Sequence, residues 1–466
     1  MKILLTHGYF LEEDKVEQNI MMPYPPQGLL HLNAYLTKQG ISSTVFDTTF
    51  SSFKELTSFF KEHRPEIIGI YCNMVTRINI VKIIRYIRQE ESLEKSIIIL
   101  GGPDVRQHNV NYLKAGADFC VTGEGEETML ELIMNLEARI KDVSGIKGIT
   151  YKGAGVDSIS NPERPFIKNI DDLPFPDFDR VSLTDYFSAW KNKHGYTSMT
   201  ISTMRGCPYF CKWCSKAVYG NSYRRRSPEK VVIELSRLVE QYHPDQFWFV
   251  DDVFTLSKSW LKEFLHHSRQ NKLKIRYECI TRADKMDEET VELLKDSGCF
   301  KVWIGGESGS QKMLDLMDRR VTAGQVREMI ITSKKAGIGT GTFLMLGYPG
   351  ETRQDIDETV RHLKTSKPDQ YTLTLAYPIK GTAFYMEVSA SIRMPVFNNF
   401  GDYSDRDLDF QRTYKPAFYR HAIRYVHHEM EAFNQKPYVK RISPFFIKHK
   451  LIAAMSRFIM SFYNPL

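Results

Sequence analysis

Short apolar runs alternate with amphipathic stretches through the first 140 residues. "KILLTH", "STVFDTT", "EIIGIYCN", "SIIILGGPD" and "FCVTG" each read as a strand. "PPQGLLHLNAYLTKQG" reads as a helix that stops at Gly40. In "NIVKIIRYIRQ", Ile80, Ile83, Ile84 and Ile87 fall on one helical face. Near-continuous apolar strands alternating with helices predict a parallel sheet covered on both faces. The pattern therefore predicts a doubly wound domain over residues 1–144. Such sheets bind ligands at the carboxyl ends of their strands. Those ends carry Thr48, Asn73 to Thr76, Gly101 to Asp104 and Thr122 to Glu126.

Residues 145–195 are poor in periodic segments, and "NPERPFIKNIDDLPFPDFDR" has the Pro and Asp content of a connector. The alternation resumes over 196–390. Strands are expected at "SMTISTM", "QFWFVDD", "KIRYECITR", "KVWIGGES", "GTGTFLMLGY" and "YTLTLAYP". A helix over 228–242 sets Val232, Leu235, Leu238, Val239 and Tyr242 on one face. Six such units predict a partial (β/α)6 barrel, whose active groups sit at the carboxyl strand ends. Residues 391–466 are expected to form a small, mostly helical C-terminal region. The class is α/β throughout. With 466 residues, 42% hydrophobic and 26% charged, the chain is long enough for these domains, and disorder and small disulfide scaffolds are excluded.

Seven cysteines cannot all pair with one another. Cys72, Cys120, Cys279 and Cys299 are scattered, while Cys207, Cys211 and Cys214 fall within eight residues. This distribution points to a reducing compartment and one metal or cofactor site. The start "MKILLTHGYF" lacks the apolar core and cleavage site of a signal peptide, and no apolar run is long enough to span a bilayer. A cytoplasmic location is expected. "RGCPYFCKWCS" is a C-x3-C-x2-C array between a strand and a helix. Its thiolates can wrap one face of an iron–sulfur cube and leave one iron open for a ligand. Structural zinc would want a fourth ligand, and no second half of such a site lies nearby.

The array, with Trp213 just before its last cysteine, resembles the radical S-adenosylmethionine (SAM) superfamily. "FVDDVFT", "GCFKVWIGGESGSQKML", "GYPGET" and "YPIKGTAFY" follow in the same order as in that superfamily. Upstream, "PYPPQGLLHLNAYL", "IILGGPD" and "VTGEGEET" resemble a Rossmann-like cobalamin-binding domain, and "IKNIDDLPFPDFD" the connector behind it. The whole is similar to the branch that holds the anaerobic Mg-protoporphyrin monomethyl ester cyclases and the cobalamin-dependent methylases. The resemblance covers about residues 1–390. It implies a [4Fe-4S] cluster on Cys207, Cys211 and Cys214, with SAM on the open iron and cobalamin as a further cofactor. It implies SAM contacts from Trp213, Arg282, Glu307, Ser308 and Gly347. For cobalamin it implies Asn73, Thr76, Gly101, Gly102, Pro103, Asp104, Thr122, Gly123, Glu124 and Gly125. Two departures stand out. No Asp-x-His-x-x-Gly segment marks a lower cobalt ligand, and Asp104 stands where many relatives have His.

Three functions follow from the resemblance. The first is methyl transfer to an unactivated carbon by way of a 5′-deoxyadenosyl radical and methylcobalamin. The second is ring closure, rearrangement or oxidation with the same cofactors and no net methyl transfer. The third is a non-catalytic iron–sulfur and cobalamin-binding regulator, which the intact triad argues against. The expected partners are a small-molecule substrate, a lipid or a natural-product intermediate among the classes, and an external flavodoxin- or ferredoxin-like electron donor. Tyr385, Phe397, Phe400, Tyr403 and Phe410 are candidates for an apolar pocket, with core packing as the plainer role.

The net charge of +7 is unevenly placed. Residues 411–466 hold ten Lys and Arg against Glu429 and Glu431, a balance of +8, so residues 1–410 sum to −1. Ile447, Leu451, Met455, Phe458, Ile459 and Phe462 form a helical stripe with Lys450 and Arg457 off it. The plainer expectation is a helix packed on the barrel with a solvated basic edge; the alternative is a peripheral dock on an anionic membrane. No recognition module accompanies the charge, so nucleic acid is not an expected partner.

Overall fold

The computed structural model describes residues 1–153, 156–393, 399–434 and 443–466. Two compact units emerge. One comprises Met1–Pro208, Ser215–Phe247 and Met394–Asp407, the other Tyr209–Cys214, Trp248–Arg393 and Leu408–Leu466.

The first unit is built on β1 (Ile3–His7), β2 (Thr44–Phe46), β3 (Ile67–Tyr71), β4 (Ile97–Gly101), β5 (Phe119–Val121), β6 (Ile149–Gly153) and β7 (Val156–Ser160). They form one sheet in the order β2-β1-β3-β4-β5-β6-β7. Strands β1 to β5 are parallel, and β6 and β7 are antiparallel additions at one edge. Both faces are apolar, as the near-continuous runs require. Leu4, Ile68, Ile70, Ile98 and Leu100 pack with Ile80, Ile83, Ile84 and Ile87 of the helix Arg77–Gln89. Ile3, Leu5, Ile67, Ile99 and Val121 pack on the opposite side with Met129, Leu132 and Ile133. The β6–β7 hairpin lies where the hydrophobic pattern showed no strand. Its strands mix Thr, Tyr, Lys, Asp and Ser, so they carry little apolar pattern.

Strands β8 (Ser198–Ile201), β11 (Gln246–Phe249), β12 (Tyr277–Thr281), β13 (Cys299–Glu307), β14 (Gly339–Leu346) and β15 (Gln370–Leu375) form a six-stranded sheet. Their order is β15-β14-β13-β12-β11-β8, the order of the chain, as in an open barrel. The boundary between the two units falls within β11. A small antiparallel pair, β9 (Met204–Arg205) and β10 (Arg224–Arg225), follows β8.

In the second unit, Leu344 and Leu346 of β14 pack with Ile356, Val360 and Leu363, and beyond them with Phe418, Tyr419 and Val426 of the helix Pro416–Asn434. The last helix, Pro444–Met460, adds Ala453 and Met460 to this core. Among the described residues, no helix is long and apolar enough to cross a membrane. Phe410 lies in the core edge-on to Phe384. Phe400 stacks at the buried Arg77 and His108. Tyr385 and Tyr403 are partly buried, and Phe397 lies outside the described residues.

Candidate active site

The cysteine loop is held from several sides. Gly206, just before Cys207, has φ +84°, and a Cβ there would run into the Ser222 carbonyl, so only glycine fits this turn. Cys207 is buried in the first unit. In the second unit, the Cys214 amide donates to the Cys211 carbonyl at 3.2 Å and closes a tight turn. Lys212 anchors that turn through its amide to the Met317 carbonyl, through its carbonyl to the Phe384 amide, and through Nζ to Glu387 at 2.5 Å. Trp213 packs against the cluster of Tyr348, Phe384 and Phe410.

Two guanidiniums face Cys211 Sγ, Arg282 Nη1 at 3.5 Å and Arg319 Nη1 at 3.6 Å. Arg282 is the residue after β12. It is fixed by Asp284 at 2.8 Å, by the Arg319 carbonyl at 2.7 Å and by the Tyr209 ring 3.7 Å from its Cζ. Arg319 reaches the Gly305 carbonyl at 3.1 Å, and a Cβ on Gly305 would collide with that guanidinium. Two positive charges thus converge on one sulfur. Sequence reasoning missed Arg319. It lies in "MDRRVT" behind a short helix, and nothing local separates it from a surface arginine.

Glu307 closes β13. Its backbone is left-handed, φ +54°, and the β13–β14 register shifts between Gly305 and Glu307. Such a backbone is costly for a residue with a Cβ and aims the side chain off the strand. Burial pushes its carboxyl pKa up, opposed by Arg319 and Arg282. Arg319 Nε is 3.8 Å away, beyond hydrogen-bond reach. Ser308 lies deeper, sharing a hydrogen bond with Thr359 at 3.2 Å and accepting from the Ser310 amide at 3.2 Å. Gly347, φ +78°, directly follows β14 and donates its amide to Glu351 Oε2 at 2.6 Å. Asp251 is buried and Asp252 exposed beyond β11.

The remaining candidates gather at the carboxyl edge of the first sheet, after β3, β4 and β5. Asn73 Oδ1 accepts from the amides of Val75 and Thr76 at 2.9 and 3.0 Å, and Thr76 Oγ1 accepts from the Asn73 amide, so this pair shapes the β3 loop. Gly102, φ +111°, sits against the Cys72 carbonyl, where a Cβ has no room. Gly101 and Gly125 border open space, since a Cβ on either would meet nothing within 4 Å. Thr122 bonds to the Gly148 carbonyl, and Gly123 has φ +97°.

Both acids at this edge are turned inward. Asp104, after Pro103, holds Arg77 through two bonds of 2.9 and 2.6 Å and accepts from Tyr112 at 2.6 Å. Glu124 accepts from Arg205 at 2.6 Å, from Arg224 at 2.7 Å and from the Ile167 amide at 2.8 Å. Arg205, two residues before Cys207, also pairs with Glu126. Two histidines of this unit are committed as well, His7 to Asp47 at 2.9 Å and His108 to Arg77 at 2.9 Å.

Residues 17–133 match the model of the B12 binding domain, and residues 201–363 match the model of the Radical SAM superfamily. The chain is a radical SAM enzyme with a B12-binding domain. An uncharacterised methyltransferase of Pyrococcus horikoshii is 29% identical over 396 residues, covering 83% of this chain and 82% of its own. The anaerobic magnesium-protoporphyrin IX monomethyl ester cyclase of Rubrivivax gelatinosus is 26% identical, covering 86% and 72%. In fold, the enzyme is similar to the radical SAM methyltransferase TsrM of Kitasatospora setae, with a TM-score of 0.70, 18% identity and coverage of 87% and 83%.

Such an enzyme uses a [4Fe-4S] cluster, SAM and cobalamin, and the donor chemistry fits these groups. A cluster takes one thiolate per iron, and the C-x3-C-x2-C array offers three of them. The open glycine backbone after β4 and β5 suits the flat face of a corrin.

Proposed function

We propose that the enzyme transfers a methyl group to an unactivated sp3 carbon of a small molecule. When bound, the cluster and SAM supply a hydrogen-abstracting radical and cobalamin supplies the methyl group. Cys207, Cys211 and Cys214 hold the cluster. Arg282 and Arg319 hold the Cys211 sulfur in place. Glu307, set off its strand by a left-handed backbone, receives the amino group or ribose of SAM. Trp213, Ser308 and Gly347 shape the surrounding wall. Gly101, Gly102, Pro103, Gly123 and Gly125 offer cobalamin their backbone, while Asn73, Thr76, Thr122, Asp104 and Glu124 hold the loops that present it. The electron comes from an external flavodoxin- or ferredoxin-like protein. We place the enzyme in the reducing cytoplasm, with peripheral membrane contact through its C-terminal region.

The observation that carries this reading is the B12-binding domain at 17–133 joined to a radical SAM domain whose Cys211 faces two guanidiniums. The cyclase similarity favours a second reading, ring closure or oxidation without net methyl transfer. Anaerobic incubation with SAM, reductant and cobalamin separates the two. Methyl transfer yields 5′-deoxyadenosine and S-adenosylhomocysteine together. Turnover with 5′-deoxyadenosine alone supports the second reading. Absence of 5′-deoxyadenosine, unchanged by Cys211→Ala, overturns both.

A further inference from the structure

The last helix is apolar on two opposite faces. One is packed, with Ala453, Ser456 and Met460 buried. The other is bare. Ile447, Leu451, Met455, Phe458 and Phe462 are 47%, 65%, 51%, 64% and 68% exposed. Their spacing of four and three residues aligns them in one stripe. Ile459, expected in that stripe, is partly buried at its side. The helix therefore does pack on the domain, but through the face that the stripe does not use.

Its orientation is fixed by ion pairs. Lys450 binds Glu429 at 2.7 Å, and Arg457 binds Asp357 at 2.8 Å. These pairs hold the helix by its flanks and keep the stripe turned outward. Lys448, beside the stripe, is exposed.

We propose that this stripe is a docking surface for an anionic lipid bilayer, with the helix lying in the interfacial plane. The inference rests on the peripheral-contact reading and is independent of methyl transfer. An apolar stripe flanked by the exposed Lys448 on one side and by Lys450 and Arg457 on the other is the pattern of an interfacial helix. A second copy of the chain would bring the same positive charge to the contact, so self-association through this face is opposed. A bilayer of phosphatidylglycerol supplies the opposite charge and an apolar layer together.

The test is co-sedimentation of the full-length enzyme with vesicles of phosphatidylcholine alone or with about one third phosphatidylglycerol. The wild type is expected to bind the anionic vesicles at least tenfold more tightly than the neutral ones. Leu451→Ser with Phe458→Ser weakens that binding at least tenfold through lost apolar insertion. Lys448→Ala weakens it about fivefold on anionic vesicles only. An unchanged melting temperature shows that the variants fold, and unchanged 5′-deoxyadenosine formation separates docking from chemistry. Equal vesicle binding by the wild type and the double variant overturns the proposal. So does a wild-type dimer in light scattering that the double variant converts to monomer.

Discussion

Arg319 stands 3.6 Å from Cys211 Sγ with one guanidinium nitrogen and 3.1 Å from the Gly305 carbonyl with the other. One side chain thus ties the cysteine loop to β13 at Gly305, two residues before Glu307 closes the strand. Arg319→Ala removes a charge-assisted contact worth about 1.5–3 kcal/mol. The expected result is lower iron content after reconstitution and a changed electron paramagnetic resonance signal of the reduced protein. Arg319→Lys keeps the charge but not the fork, so it recovers part of the iron content. Wild-type iron content and signal in both variants would deny Arg319 this role.

The two glycines after Leu100 make opposite predictions. Gly102 has a left-handed backbone against the Cys72 carbonyl, so Gly102→Ala is expected to cost more than about 2 kcal/mol in denaturant unfolding. Gly101 borders open space, so Gly101→Ala leaves stability nearly unchanged. If the corrin lies on this backbone, the same methyl group weakens cobalamin binding, read by spectrophotometric titration. Full-strength binding by Gly101→Ala would place the corrin elsewhere.

Much of the fold was legible because both sheets are made from local signals. "KILLTH", "EIIGIYCN" and "SIIILGGPD" are strands whose residues alternate between two buried faces, and the helix 228–242 ends as its pattern ends. The β6–β7 hairpin was not legible, since its Thr, Tyr, Lys and Ser residues carry little apolar pattern. At the candidate site, the cysteine spacing was legible, but the partners were not. Asp104 meets Arg77 27 positions away, and Arg77 meets Asp405 328 positions away. Tertiary folding alone creates these pairs. The carboxylate of Asp104 has its counterpart in a buried arginine.

That buried pair is expected to be expensive to break. Arg77 is fully buried, with Asp104 at 2.6 Å and Asp405 at 2.8 Å. Asp104→Ala leaves an arginine short of charge compensation in the core, a loss of about 3–5 kcal/mol. Asp405→Asn, which keeps an acceptor and leaves Asp104 in place, should cost less than half as much in the same unfolding assay. Equal losses would mean that Arg77 depends on both acids alike.

Glu351 gives stability a pH dependence of defined sign. Burial raises its carboxyl pKa from 4.5 to about 8, with Asp355 adding to the rise and the Gly347 amide opposing it. Below the unfolded value, both states carry the proton and the group costs nothing. Between 4.5 and about 8 the folded state keeps a proton that the unfolded state loses, so stability falls as pH rises through this window. Above about 8 the folded group is ionised too, and the cost levels off at a few kcal/mol, as an order of magnitude. Glu351→Gln retains an acceptor for the Gly347 amide and carries no charge. It should match the wild type near pH 5 and exceed it in unfolding free energy near pH 9. A constant difference between the two proteins across this range would show that Glu351 does not titrate as its burial requires.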